Sequence, residues 1–224
     1  MKRTIAIGDV HGCARTLRAM VEDRIGLDRA DHLILLGDYI DRGPSSKAVL
    51  DYIVGLIELG YSVTPLRGNH DDLLVRARFS TFWHEKWMMN GGATTLCSLG
   101  ASSPLDVDPH YVNLIEALPL YCHTPQFTCT HASLNMEIED PFADTYAMMF
   151  LRTEGVTRSK IGGRRLLCGH TPQTRERIYH RLECENKVII DNGCVYAGEP
   201  GMGFLCAFDL DSFDLMFVRN IDHD

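Results

Sequence analysis

The spacing of hydrophobic positions changes several times along this chain, and each change marks an element. Residues 4–8 (TIAIG) form a short β-branched run stopped by glycine, which predicts a buried strand feeding a loop. Leu17, Met20 and Val21 then recur at the spacing of one helix face, predicting an amphipathic helix over 14–24. The unit repeats. A strand over 32–36 (HLILL) leads through a polar loop to a helix from about Ser46 to Leu59. Ser45 or Ser46 is placed to cap that helix and Gly60 to stop it. A third strand spans 61–67, and another helix begins near Asp71. Strands alternating with helices predict parallel pairing and an α/β core.

Residues 72–118 read as mostly helical, with breaks at Asn90-Gly91-Gly92 and around Ser102-Ser103-Pro104. From 119 onward the pattern becomes strand-rich, at 119–123, 126–131, 165–169, 177–182, 187–191, 203–209 and 213–218. This change predicts a second sheet packed on the first, within a single domain spanning 1–224.

Composition narrows the function. With 22 Lys and Arg against 30 Asp and Glu, the formal charge is -8, so the surface as a whole repels nucleic acid. An anionic substrate must therefore be held by local positive charge. The eight cysteines form no CxxC pair, and several lie inside apolar runs, where reduced core thiols in a cytoplasmic protein are the simplest reading. Cys129 and Cys168 read as core strand residues. Asp9 and His11 interrupt the N-terminal apolar run too early for a secretory segment, and no apolar stretch approaches membrane-spanning length. A soluble protein without a membrane partner is expected.

Five hydrophobic runs end in residues that bind metals or phosphate: Gly8-Asp9-Val10-His11-Gly12, Gly37-Asp38-Tyr39-Ile40-Asp41-Arg42-Gly43, Arg67-Gly68-Asn69-His70-Asp71, Thr130-His131-Ala132 and Cys168-Gly169-His170-Thr171-Pro172. Each lies at the carboxyl end of a predicted strand, where the loops of an α/β sheet converge on ligands. Asp9, His11 and Asp38 can hold one cation. Asp38, bridging, can hold a second with Asn69, His131 and His170. Two divalent ions against two carboxylates keep a surplus of positive charge, and a water on such ions can ionise near a pKa of about 7. Mixed nitrogen and oxygen ligation without thiolate suits Mn²⁺, with Fe or Zn²⁺ also compatible. Taken singly, His131 or His170 could be packed, Asp9 a helix cap and Asn69 a turn former. The shared setting at five strand ends favours the metal reading over four coincidences.

His70 adjoins Asn69, and adjacent side chains point apart, so it can face a substrate. Asp41 can hydrogen-bond it and favour the imidazolium, which donates a proton to a departing alkoxide. Arg42 and Arg67 can offer forked hydrogen bonds to phosphoryl oxygens.

These motifs resemble the phosphoprotein phosphatase branch of the calcineurin-like metallophosphoesterases, whose pattern runs GDxHG, GDxxDRG, GNHE and two isolated histidines. The resemblance runs from Asp9 to about Gly193. It implies a β-sandwich of two mixed sheets flanked by helices. It also implies a dinuclear site of Asp9, His11, Asp38, Asn69, His131 and His170, a catalytic pair of Asp41 and His70, and phosphate-binding Arg42 and Arg67. It suggests Arg152 as a third phosphate-binding arginine. Asn90-Gly91-Gly92 and Ile190-Asp191-Asn192-Gly193 echo the same branch, with Asp191 read as a supporting or turn residue. One departure stands out: the third motif ends in Asp71 instead of Glu. That looks like the symmetrical dinucleoside tetraphosphate hydrolases, which tend to lack the Asp-Arg pair and the arginine before the third motif. The expected function is thus serine/threonine phosphatase chemistry on a phosphorylated protein or small phosphoester. The rivals are dinucleoside tetraphosphate hydrolysis, a metallonuclease (disfavoured by the acidic surface) and a non-catalytic phosphoprotein-binding module.

Overall fold

The computed structural model describes residues 2–222. β1 (Thr4–Ile7) leads into α1 (Ala14–Arg18), which continues as a π-helical segment over Ala19–Ile25 and stops at Gly26. β2 (His32–Leu35), α2 (Ser46–Glu58), β3 (Ser62–Pro65) and α3 (Asn69–Ala77) complete two further strand–helix units. A helical stretch follows: α4 (Thr81–Met89), α5 (Gly92–Leu99) and α6 (Pro109–Ala117). Then come β4 (Tyr121–His123), β5 (Phe127–Thr130), α7 (Thr145–Phe150), β6 (Arg165–Cys168), α8 (Arg175–Cys184), β7 (Lys187–Ile189), β8 (Phe204–Asp209) and β9 (Leu215–Arg219).

Two mixed sheets result. One runs β3-β2-β1-β8-β9, with β1, β2 and β3 parallel and β8 antiparallel to β1. The other runs β4-β5-β6-β7, parallel except at β4. The two-residue period of each strand sorts its side chains between two cores. Ile5, Ile7, Leu33 and Leu35 pack with Leu17, Leu50 and Ile53 of the helical layer. Ala6, Ile34 and Leu36 face the other way and meet Phe127, Cys129, Leu167 and Val188 of the second sheet. Cys129 and Cys168 are buried strand residues, as their sequence setting predicts. Among the described residues, no helix is long and apolar enough to cross a membrane.

Two expectations need correction. Residues 177–182 are not a strand but lie within α8, capped by the Thr174 hydroxyl accepting from the Arg177 N–H. Their β-prone Ile-Tyr pair conceals a helical spacing, in which Ile178 and Leu182 lie four apart and pack on the core between the sheets. In addition, β8 and β9 do not extend the second sheet. They return to the first, placing β8 against β1, so that Gly8 N–H bonds to Cys206 O just before the first motif.

Candidate active site

The site forms where β1, β2, β3, β5 and β6 end. His131, after β5, donates Nδ1–H to Leu36 O at 2.8 Å, which leaves the Nε2 lone pair free. That nitrogen lies 2.9 Å from Asn69 Oδ1, 3.2 Å from His170 Nδ1 and 3.4 Å from Asp38 Oδ2. His11 is fixed in the same way. Its Nδ1 bonds to Ile40 O at 2.9 Å, and its Nε2 lies 3.5 Å from the same Asp38 oxygen. Asp38 is thus common to two groups of donors, one with His11 and His70, the other with His131 and His170.

This arrangement tests whether metals fit. With the tautomers set by backbone carbonyls, the His131 lone pair faces the Asn69 amide oxygen and the Asp38 carboxylate, while that of His11 faces Asp38 and the Arg42 guanidinium. Acceptors facing acceptors in a buried site repel unless a cation lies between them. The residues fit a divalent pair. Asp9 takes a different position from the one expected. Its carboxylate accepts the His170 backbone N–H at 3.0 and 3.1 Å, outside both compact groups of donors.

Glycine makes room for both acids. A Cβ on Gly68 would lie 2.2 Å from Asp38 Oδ1, and one on Gly169 would lie 2.0 Å from Asp9 Oδ1. The backbone is also strained here. Among the described residues six non-glycine positions have positive φ, and five are His11, Asp38, Asp41, Arg42 and His170. A left-handed backbone is unfavourable for such residues and clusters at functional sites.

Burial controls the electrostatics. It pushes Asp9 well above the usual carboxylate range, aided by Asp191 and Asp38, and pushes Asp38 up as well, aided by Asp71. It drives the imidazoles the other way, His131 down to about 3 and His170 to about 2, with His11 well below its ordinary value. Neutral imidazoles are the form that binds metals.

Beside the donors, His70 Nδ1 lies 2.7 Å from Asp41 Oδ2, both side chains buried. Their rings and chains separate this pair from the metal-binding atoms only narrowly, since the His70 and His11 rings meet edge to face at 4.6 Å. The arginines divide. Arg42 Nη1 is 2.8 Å from His11 Nε2, and Arg152 Nε donates to His170 Nε2 at 3.1 Å, so both reach the histidine cluster. Arg67 is turned to Asp72 at 3.3 Å and to Glu116 O at 3.0 Å, with its Nε unpartnered. A cavity of about 770 Å³ between Leu27, Tyr52 and Leu59 contains none of these residues.

Sequence reasoning missed the work of Asp71. Its carboxylate accepts from the backbone N–H groups of Asp38 (2.9 Å), Tyr39 (3.1 Å) and Gly68 (2.9 Å), tying the second motif to the third. The shorter acid therefore has a structural task, and its presence instead of Glu says little about substrate. Its place in the first turn of α3 is the signal that could have revealed it. Asp191 accepts the Gly193 N–H at 2.7 Å, a turn bond of the kind expected.

Comparison with known proteins agrees with this geometry. The chain is 28% identical over 204 residues to serine/threonine-protein phosphatase 1 of Salmonella typhimurium, covering 86% of this chain and 87% of that one. It is 26% identical over 221 residues to the asymmetrical bis(5'-nucleosyl)-tetraphosphatase PrpE of Bacillus velezensis, covering 86% and 85%. A solved structure described as a putative diadenosine tetraphosphatase shares the fold, with a TM-score of 0.63 and 18% identity over 98% of this chain and 94% of that one. Residues 2–181 match the calcineurin-like phosphoesterase family, enzymes with a dinuclear metal centre, and the chain belongs to that family of hydrolases.

Proposed function

We propose that this enzyme hydrolyses phosphate monoesters in a single displacement and that its substrates are phosphoserine and phosphothreonine in proteins. One observation carries the reading: the buried Asp41–His70 pair, bonded at 2.7 Å, adjoins the two groups of candidate metal donors, His70 itself lying within reach of the His11–Asp38 group. A divalent pair, Mn²⁺ by our reading, supplies the Lewis acidity that activates water and offsets phosphoryl charge. Asp9, His11, Asp38, Asn69, His131 and His170 would hold it, Asp9 by turning its carboxylate from the His170 N–H. Arg42 and Arg152 grip phosphoryl oxygens, and Arg67 joins them by releasing Asp72. Asp41 accepts from Nδ1 of His70 and orients the ring, so that Nε2 passes its proton to the ester oxygen as the P–O bond breaks.

His70→Asn is expected to lower kcat by about 10²–10⁴-fold while metal content holds. Near-normal turnover in that variant ends the general-acid assignment. The similarity to a tetraphosphatase supports a second reading, hydrolysis of dinucleoside tetraphosphates. Rates on a phosphothreonine peptide and on diadenosine tetraphosphate, compared on Mn²⁺-loaded protein, separate the two.

A further inference from the structure

Asp41 has more partners than His70. Its Oδ1 accepts from the Thr95 hydroxyl at 2.7 Å and from Trp87 Nε1 at 3.0 Å, and the indole N–H also lies 3.0 Å from Oδ2. Thr95 does double duty. Its oxygen accepts the Asp41 backbone N–H at 2.8 Å, supporting a residue held at φ 71, and meets the Ser46 hydroxyl at 3.0 Å. Asp41, Trp87, Thr95 and Ser46 are all fully buried, with no water-accessible alternative partner.

We propose that Trp87 and Thr95 are positioning residues for the general acid: the Thr95 hydroxyl occupies Oδ1 of Asp41 and the Trp87 N–H straddles both oxygens, fixing the carboxylate so that Oδ2 accepts from His70 Nδ1. The proposal rests on the general-acid reading above. Burial pushes Asp41 up to about 8, and the Thr95 and Trp87 donors oppose that rise by keeping both oxygens acceptors. The arrangement keeps the hydrogen on His70 Nδ1 and turns Nε2 toward the leaving oxygen. It draws on α4 and α5, 46 and 54 residues from Asp41 in sequence.

The support also explains Asn90-Gly91-Gly92. A Cβ on Gly92 would lie 2.6 Å from the Trp87 indole, so only glycine leaves the ring where its N–H meets Asp41. The helix break is the place where α4 and α5 close over the acid pair. Neither Trp87 nor Thr95 hydrogen-bonds a metal-binding atom or an arginine, which separates their effect from binding.

The test uses leaving groups. p-Nitrophenoxide departs without a proton near neutral pH, whereas an alkoxide needs one. Thr95→Val, Trp87→Phe, Gly92→Ala and His70→Asn are compared with wild type on p-nitrophenyl phosphate and on a phosphothreonine peptide, with metal content and melting temperature recorded. In Thr95→Val and Trp87→Phe, the loss of kcat on the peptide is expected to exceed that on the aryl ester by about tenfold or more. His70→Asn shows the same asymmetry more strongly, and Thr95→Ser, which keeps the hydroxyl, restores the wild-type ratio. Gly92→Ala reproduces Trp87→Phe.

Equal losses on both substrates in Thr95→Val and Trp87→Phe, with asymmetry retained in His70→Asn, overturn the positioning role and leave the general acid standing. An unchanged ratio in His70→Asn overturns the general-acid reading and the positioning role with it. Should Trp87→Phe fail to fold, the near-isosteric Thr95→Val and its serine counterpart decide the matter.

Discussion

The two ends of the parallel strands β1 and β2 both bury aspartates, in opposite circumstances. At the amino end, Asp31 accepts from the Arg3 backbone N–H at 3.0 Å, from Arg3 Nε at 3.2 Å and from the Asp28 N–H at 3.2 Å. Burial acts to raise its pKa, and the Arg3 and Asp28 bonds outweigh it, so the net shift is downward. At the carboxyl end, Asp38 takes the His70 N–H on Oδ1 at 2.9 Å, while Oδ2 faces imidazole nitrogens at 3.4 and 3.5 Å. Burial dominates there, and the acid is pushed well up. Both side chains are closed to solvent, but Asp38 lies far deeper in the protein; depth and a shortage of donors together push it up, while the Arg3 and Asp28 bonds carry the shallower Asp31 down. One end of the sheet is complete as protein, and the other is completed by cations.

Asp38→Asn should give the largest effect. Turnover is expected to fall by about 10³-fold or more, since metal-based charge stabilisation is worth several kcal/mol at about 1.4 kcal/mol per tenfold. The metal-free protein, however, should melt no lower than wild type, because the change removes a buried charge that has one donor and no cation. Mn²⁺ should raise the melting temperature of wild type and not of the variant. A metal-free variant that melts well below wild type would break the contrast between the two ends.

Asp71 sharpens it, being a donor-filled carboxylate at the carboxyl end that burial nevertheless pushes up to about 7. Asp71→Asn places an amide N–H₂ against three backbone N–H groups. The expected cost is roughly 2–4 kcal/mol in denaturant unfolding, with or without metal. A neutral outcome would mean that location, not hydrogen-bond closure, decides which buried acids stabilise the fold.

The sequence made some of this contrast legible and not the rest. Asp9, His11, Asp38, Asn69, His131 and His170 could be read because each follows a hydrophobic run that ends in a loop, so local pattern placed them at strand tips. The structure brings the side chains of His11, Asp38, Asn69, His131 and His170 together and leaves Asp9 against the His170 N–H. The Asp41–His70 bond was legible for the same reason, because both partners lie in short motifs. Trp87 and Thr95 were not, because their partner is some fifty residues distant and nothing local to α4 or α5 marks an indole N–H or a hydroxyl as aimed at a carboxylate. The helix over 177–182 was hidden by its Ile-Tyr pair, and Arg181 within it is buried only because Glu154 and Glu185 meet it. The placement of β8 beside β1 is a long-range pairing across some 200 residues, which periodicity alone does not reveal.

The pH dependence of stability should carry the smallest effect and the clearest sign. Asp31 has a folded pKa below its unfolded value, so its contribution is present in full above about pH 3.9 and is lost as pH falls through the depressed value. Asp31→Asn should therefore cost on the order of 1 kcal/mol at neutral pH, with the gap to wild type closing in acid. Asp9, Asp38 and Asp191 have the opposite sign. Burial raises all three, Asp191 to about 6, so in the metal-free protein they favour folding while protonated and that benefit declines as pH climbs above about 3.9. Metal-free stability measured by urea unfolding should thus decline between about pH 4 and 6, and bound Mn²⁺ should flatten the decline by giving the carboxylates a counter-charge. A metal-free profile that rises across that interval would mean that the carboxyl end is as well supplied with donors as the amino end, and the distinction between the two would fall.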